Sequence, residues 1–322
     1  MPALALVPYL RPYFGSICFA GQTGGVEEIL STEMGLPFLG AEAIKFDRRR
    51  IWRNLAIPRV LSHAAEQMRV RLQQVGCGMV FSKGGYCALP TVLAAHRLGI
   101  PIVCHESDRT LGLANRLTLR YTSHLLTSFD TTPRGQCLGN PLRDAIFEGD
   151  PAGVPLPMSA RPMVLVTGGS MGSMALNEAA VALARLRRDW DVVDLYGKSY
   201  VPCALKNFYG VPFASDMADY YARADVVVCR AGANTLFELA ALGKRAVVVP
   251  LPRGVSRGDQ VQNARYFAER YAFDVIEQDA LSAEKLSAAI EYALSRESVA
   301  REYHNPNARI AQYIYEVYAG KR

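Results

Sequence analysis

Residues 225–264 constrain the fold of this 322-residue chain more tightly than any other stretch. Asp225-Val-Val-Val-Cys229 is short, apolar and β-branched, the composition of a strand buried on both faces. An Ala231-Gly-Ala-Asn234 turn follows, Thr235 opens a helix, and Arg245-Ala-Val-Val-Val-Pro250 reads as the next strand. Free N–H groups at that helix start, with Gly232 permitting close approach, form an anion site suited to a phosphate. Glu238 lies one turn further in, where a carboxylate can accept hydrogen bonds from ribose hydroxyls. Gln260, on a polar loop beginning at Ser256, is placed to read sugar hydroxyls. Phosphate, ribose and sugar readers in this order suggest a nucleotide-sugar site. An ordinary strand–turn–helix repeat produces the same spacing.

Chain length accommodates two α/β domains. Half of the residues are hydrophobic and a fifth are charged, as in a globular protein, and no window reaches the roughly 18 apolar residues of a membrane span. The opening Met1-Pro-Ala-Leu-Ala-Leu6 resembles a signal-peptide core, but no basic residue precedes it and Pro8 and Arg11 interrupt it. Seven scattered cysteines without a C-x-x-C pair fit reduced core residues of a cytoplasmic protein. The five histidines form no metal cluster.

Net charge is +6, and its distribution is uneven. Between Lys45 and Arg71, eight Lys or Arg stand against two acids. Arg48, Arg49, Arg50, Ile51, Trp52 and Arg53 interleave cations with apolar side chains, as an anionic membrane surface attracts. A solvated basic helix is the competing reading. A nucleic-acid surface is disfavoured because no nucleic-acid motif accompanies the charge.

In chain order, a helix over about Pro2–Tyr13 precedes the first strand, Ser16–Gly21, and a helix from Gly25 follows. Doubly wound domains instead begin with a strand and a glycine turn. Gly78–Ser82 is a strand leading into Lys83-Gly84-Gly85-Tyr86. Pro101–Cys104 is another, ending in His105 and Glu106, with Asp108 just beyond. Strand C-termini are where open α/β sheets bind ligands, although a buried histidine bonded to backbone explains His105 equally well. Residues 149–162, rich in Pro and Gly, read as an interdomain linker between domains at 1–148 and 163–322. The second domain opens with strand Met163–Thr167, the glycine turn Gly168-Gly-Ser170-Met-Gly172, and a helix from Met174. Phe213, on a later loop, is placed to cap a base, though burial is the commoner fate of a phenylalanine.

Taken in order, Phe81–Tyr86, His105–Asp108 with Gly112–Arg116, Gly139–Arg143, Gly168–Ser170, Cys229–Glu238 and Ser256–Gln260 with Asn263-Ala264 resemble the MurG family of peptidoglycan glycosyltransferases, most closely its Bacillus-type branch. The resemblance covers nearly the whole chain. It implies a GT-B fold, two Rossmann-like doubly wound domains facing across a cleft, without metal. It further implies inverting transfer of GlcNAc from UDP-GlcNAc to the 4-hydroxyl of an undecaprenyl-diphosphate-linked muramyl peptide, peripherally on the cytoplasmic face of the cell membrane, beside cell-wall synthesis and division proteins. By the same resemblance, Phe213 and Ala214 meet the uracil and Glu238 the ribose. Ala233, Asn234 and Thr235 line the diphosphate, Ser170 and Arg143 reach the nucleotide sugar, and Gln260 reads the GlcNAc. Gly84, Gly85, Tyr86, His105, Glu106 and Asp108 belong to the acceptor side, and Arg48–Arg53 to the bilayer. The C-terminal helix packs back on the first domain.

One departure matters. The family begins with a strand and a glycine-rich loop ending in a histidine, directly before the Pro-Ala-Leu-Ala-Leu helix, and that histidine is its leading candidate for the general base. Here Met1 stands where the loop finishes, so no catalytic base is assigned and a longer natural chain is expected. Without a base, rates fall about 10²–10⁴-fold. Lack of a central strand leaves neighbouring backbone groups unpaired, as at a sheet edge. Two alternatives therefore stand beside the enzyme: a non-catalytic homologue that binds nucleotide sugar or membrane, and a related transferase acting on another lipid or sugar.

Overall fold

The computed structural model describes residues 2–42, 55–169, 171–214, 216–254, 258–296 and 304–321. Arg48, Arg49, Arg50, Ile51, Trp52 and Arg53, expected at the membrane, and Ser170, expected at the donor, lie outside them. The chain forms two compact units, Met1–Pro141 with Asn305–Arg322, and Leu142–His304.

In the first unit, a short helical stretch leads into α1 (Val7–Leu10), and then come β1 (Phe19–Gln22), α2 (Val26–Glu33), β2 (Phe38–Ala41) and α3 (Ile57–Gln74). They are followed by β3 (Val80–Ser82), α4 (Leu89–Arg97), β4 (Ile102–Glu106), α5 (Leu113–Thr118), β5 (His124–Thr127) and β6 (Gln136–Cys137). β4 is buried along its whole length, the apolar Ile102–Cys104 and the polar His105 and Glu106 alike. All recorded strand pairs are parallel, yet the strands form two sheets, β1-β2 and β3-β4-β5-β6. The break lies between β1 and β3, which do not pair among the described residues. One apolar cluster joins Leu72 and Val92 to Val80, and another joins Ile314 to Phe81, so successive β3 side chains enter opposite layers.

The second unit contains β7 (Met163–Thr167), α6 (Met174–Leu186), β8 (Asp191–Leu195), β9 (Phe208–Val211), α7 (Met217–Arg223), β10 (Val226–Cys229) and α8 (Ala233–Ala241). It continues with β11 (Arg245–Val248), α9 (Asp259–Tyr271), β12 (Asp274–Val275) and α10 (Ala283–Ser295). The six strands make one parallel sheet in the order β12-β11-β10-β7-β8-β9. The chain runs outward from β7 to β9, returns to β10 on the other side of β7, and runs outward again. The point where strand order reverses, between β7 and β10, is where such sheets open a ligand crevice. The last helix, α11 (Asn307–Tyr318), belongs to the first unit, and Asn307 Nδ2 donates to the Ala5 carbonyl at 3.2 Å.

Two expectations change. Residues 149–162 are not a free linker but packed structure of the second unit. Asp150 N–H donates to Asp219 Oδ1 at 2.8 Å, and Arg223 donates to the Leu156 carbonyl at 2.9 Å. A side chain at Gly149 would collide with the Ala218 carbonyl, so glycine there serves close packing. The seven cysteines are free, but only Cys104 and Cys229 are buried.

Asp194, in the middle of β8, is 1% exposed, and its Oδ1 has no hydrogen-bond partner among the described residues. Burial pushes its carboxyl up to about 7. Because the folded value lies above the unfolded one, the folded state holds the extra proton. The group's stabilising contribution is complete below about pH 4 and is lost as pH rises towards 7. Asp194→Asn should therefore flatten the stability profile between pH 4 and 8, with a gain at pH 8 on the order of 4 kcal/mol. Denaturant melts across that range measure it, and an unchanged slope would contradict the assignment.

Candidate active site

Residues from both strands at the switch point surround the positions expected to bind the donor. β10 ends at Cys229, and Arg230 turns back beneath the loop: Nη2 and Nε donate to Ser173 Oγ at 2.6 and 3.2 Å, and Nη1 donates to the Val249 carbonyl at 3.1 Å. Ser173 caps α6 after the β7 glycine turn, so Arg230 ties that turn to β10 and to the chain after β11. Gly172 stands at φ +75° with the Tyr196 carbonyl against it, a position closed to other residues. From the other side, buried Asn263 on α9 donates to the Ala231 carbonyl at 3.2 Å. These two side chains, quoted in the motifs but given no role, hold the loop before α8.

Helix α8 begins two residues earlier than the sequence suggests, with Gly232 at its N-cap and no side-chain cap bond. A helix N-terminus of this kind, approached through a glycine, suits an anion. Ala233 is buried, Asn234 is exposed and Thr235 is half-buried in the first turn. Glu238 is half-buried one turn on, with Tyr221 O–H donating to its Oε2 at 3.4 Å. Burial raises the Glu238 carboxyl above the usual glutamate value, and Arg143 opposes that rise. The structure thus brings Arg143, Tyr221 and Glu238 together beside the α8 N-terminus. Ala214, after β9, is buried, whereas Phe213 is 69% exposed. Gln260 lies in the first turn of α9 rather than on a loop, and its Oε1 accepts from Leu251 N–H at 3.0 Å.

The acceptor-side residues cluster in the first unit. Gly84 and Gly85 follow β3 at φ +78° and +86°, and a Cβ at Gly84 would lie 2.7 Å from Asn115 Oδ1. Tyr86 O–H donates to Gln22 Oε1 at 2.7 Å, tying this loop to β1. Glu106 is an organising centre: Oε1 accepts from Asp108 N–H at 3.1 Å, and Oε2 accepts from Gly112 N–H at 2.8 Å and Asn115 Nδ2 at 2.9 Å. His105 is fully buried, with Nε2–H donating to the Gly139 carbonyl at 2.9 Å and Nδ1 accepting from Lys83 Nζ at 2.8 Å. Burial, then the neighbouring Lys83, holds this ring well below its ordinary basicity, and burial brings Lys83 itself down to about 7. His105 is the buried, backbone-bonded histidine of the plainer reading. Among the described residues, no group of three His, Cys, Asp or Glu is arranged to hold a metal ion, and no helix is long and apolar enough to cross a membrane.

Comparison with known proteins agrees with this layout. The glycosyltransferase family 28 N-terminal domain matches residues 1–127, and the family 28 C-terminal domain matches residues 163–314. A UDP-N-acetylglucosamine–N-acetylmuramyl-(pentapeptide) pyrophosphoryl-undecaprenol N-acetylglucosamine transferase from Lachnospira eligens is 34% identical over 303 residues, 90% of this chain and 86% of that protein. A relative of the same description from Clostridium perfringens strain 13 is 33% identical over 305 residues, 90% and 85% of the two chains. The crystal structure of Acinetobacter baumannii MurG superposes with a TM-score of 0.74 at 27% identity, covering 99% of this chain and 95% of that one. The kitacinnamycin glycotransferase, 17% identical with a TM-score of 0.75 over 98% and 95% of the chains, shares the fold. The chain therefore belongs to glycosyltransferase family 28 and, within it, to the MurG family of GT-B enzymes.

Proposed function

We propose that this protein transfers GlcNAc from UDP-GlcNAc to the 4-hydroxyl of an undecaprenyl-diphosphate-linked muramyl pentapeptide, inverting the anomeric centre. The observation that carries this is the N-terminus of α8, entered through Gly232 at the sheet's switch point, with Glu238 one turn along it. The amides of Ala233, Asn234 and Thr235 receive the diphosphate, and Glu238, oriented by Tyr221 and Arg143, binds the ribose. Phe213 and Ala214 meet the uracil, Gln260 donates to a GlcNAc hydroxyl, and Ser170 is assigned to the donor by sequence. Gly84–Tyr86 and the loop held by Glu106 receive the acceptor diphosphate. Chemistry is direct displacement. The acceptor oxygen attacks the anomeric carbon and gives up its proton to solvent, the bond to the UDP oxygen breaks, and preorganised helix dipoles take up charge on the departing diphosphate. No metal or other cofactor is assigned to this step.

A second reading, binding of the nucleotide sugar without transfer, is favoured by one observation: both ring nitrogens of His105 are engaged internally. Incubating the chain with UDP-GlcNAc and a short-prenyl acceptor separates the two. Formation of the β-linked disaccharide lipid supports transfer, and donor binding without product supports the second reading.

We place the protein peripherally on the cytoplasmic face of the membrane, among cell-wall synthesis and division proteins. The basic segment Arg48–Arg53 and the neighbouring Leu55, 82% exposed, support that placement. Arg49, Arg50 and Arg53 changed together to Glu should weaken binding to anionic vesicles at least about 100-fold at low salt, each basic residue contributing about 1 kcal/mol. Flotation with vesicles reads this, and unchanged binding would make the stretch an ordinary surface.

A further inference from the structure

The transfer step described above makes no use of Lys83. This residue follows β3 and directly precedes Gly84 and Gly85, which stand at φ +78° and +86°. Its Nζ lies 2.8 Å from His105 Nδ1. Because His105 Nε2–H donates to the Gly139 carbonyl, Nδ1 carries the lone pair and Lys83 is the donor. That bond needs a single N–H, which a neutral amine supplies as an ammonium does. Glu106 and Asp108 act on Lys83 from the end of β4 and the loop after it. Glu106, however, already accepts from three donors of its own loop. On the far side of the turn, Glu27 of α2 acts on Tyr86 and Cys87. With its basicity brought down to about 7 by burial, Lys83 is mostly a neutral amine at pH 8.

A second observation is independent of the amine. Asn115 is 2% exposed, and its Oδ1 has no hydrogen-bond partner among the described residues. That oxygen lies against Gly84, where a Cβ would approach it to 2.7 Å. The glycine turn therefore holds an unmet acceptor one residue from an amine that can gain a proton. We propose that Lys83 supplies the positive charge for a diphosphate diester held at Gly84 and Gly85, taking up one proton from solvent as that ligand binds. Glycines at positive φ let backbone approach a phosphate closely, and an opposite charge within about 4–6 Å favours the ammonium. The ammonium keeps one N–H on His105 and gains donors for the phosphate and for Asn115 Oδ1. This inference rests on the acceptor-side reading of Gly84–Tyr86 and adds a linked proton to it. Below pH 7 the free chain already carries the charge, so binding takes up little. Above pH 7 each ligand brings nearly one proton, and affinity falls about tenfold per pH unit.

The probe is diisopentenyl diphosphate, a diester with no group that titrates near neutral pH, added to the whole chain with excess UDP filling the donor side. Calorimetric titration in buffers of different ionisation enthalpy counts the protons. Uptake should be close to one per ligand at pH 8 and close to zero at pH 6. Lys83→Arg, whose guanidinium stays charged, should bind without proton uptake and with an affinity independent of pH between 7 and 9. Lys83→Met should bind about 10–100-fold more weakly at pH 7, the loss of a charge-assisted bond. Melting midpoints within a few degrees of the wild-type value show that both variants fold. Binding without uptake would overturn the proposal, as would no binding at millimolar ligand. Uptake that persists in Lys83→Arg would place the proton elsewhere and overturn it too, and uptake greatest at pH 5–6 would assign it to His105 instead. The transfer assay on the same preparation keeps the two readings apart: disaccharide lipid formed without proton uptake removes the role of Lys83 and leaves the transferase reading standing.

Discussion

Replacing Glu238 by alanine should lower kcat/KM for UDP-GlcNAc about 100-fold while leaving the melting midpoint within a few degrees. A carboxylate that accepts both ribose hydroxyls makes charge-assisted bonds worth about 1.5–3 kcal/mol each. Loss of roughly 3 kcal/mol corresponds to a factor of about 10². The fold depends little on this side chain, since its recorded internal bond is the long 3.4 Å contact from Tyr221. Because burial raises the Glu238 carboxyl, donor binding should also fall as pH is lowered, with a midpoint above the ordinary glutamate range. Calorimetric titration of UDP-GlcNAc into both proteins checks the affinity and its pH dependence. Unchanged affinity would remove Glu238 from the site.

Glu106→Gln should act on the other substrate. Its buried carboxylate accepts three hydrogen bonds, from Asp108 N–H, Gly112 N–H and Asn115 Nδ2, at the base of a half-buried loop. Glutamine keeps the shape but turns an NH₂ towards donors that need an acceptor. Each buried donor left unpaired costs about 1–3 kcal/mol. The loop from Ser107 to Gly112 should loosen, raising KM for the lipid acceptor at least about 100-fold, a change of about 3 kcal/mol. UDP-GlcNAc affinity should stay as it was, because the donor residues belong to the other unit. A parallel loss of donor affinity would show that Glu106 supports the whole fold rather than the acceptor loop.

Much of the second unit was legible because its signals are local. Val226–Cys229 and Met163–Val166 are uninterrupted apolar runs with a glycine turn close behind, and both lie in buried strands where the pattern put them. The start of α8 was misjudged by two residues because Gly232, not a side-chain oxygen, occupies its N-cap. β2 escaped notice because Phe38-Leu-Gly-Ala41 is short and carries a glycine inside it. Residues 149–162 misled for a related reason: proline and glycine mark both linkers and close packing, and only the Ala218 carbonyl against Gly149 separates the two. Arg230 and Asn263 could not be given roles from sequence, because Ser173 and Ala231 lie far from them along the chain. Glu106 was visible as a polar residue at a strand end. Its work as an acceptor for three donors became visible only when the loop closed around it.

The most direct test of the account is a single reaction of the chain with UDP-GlcNAc and a short-prenyl diphosphate muramyl pentapeptide, followed for both products. The account predicts that UDP and a lipid carrying one added GlcNAc appear in equal amounts, and that UDP release stops when the acceptor is left out. UDP release that is independent of the acceptor, or saturable donor binding with neither product, would contradict it.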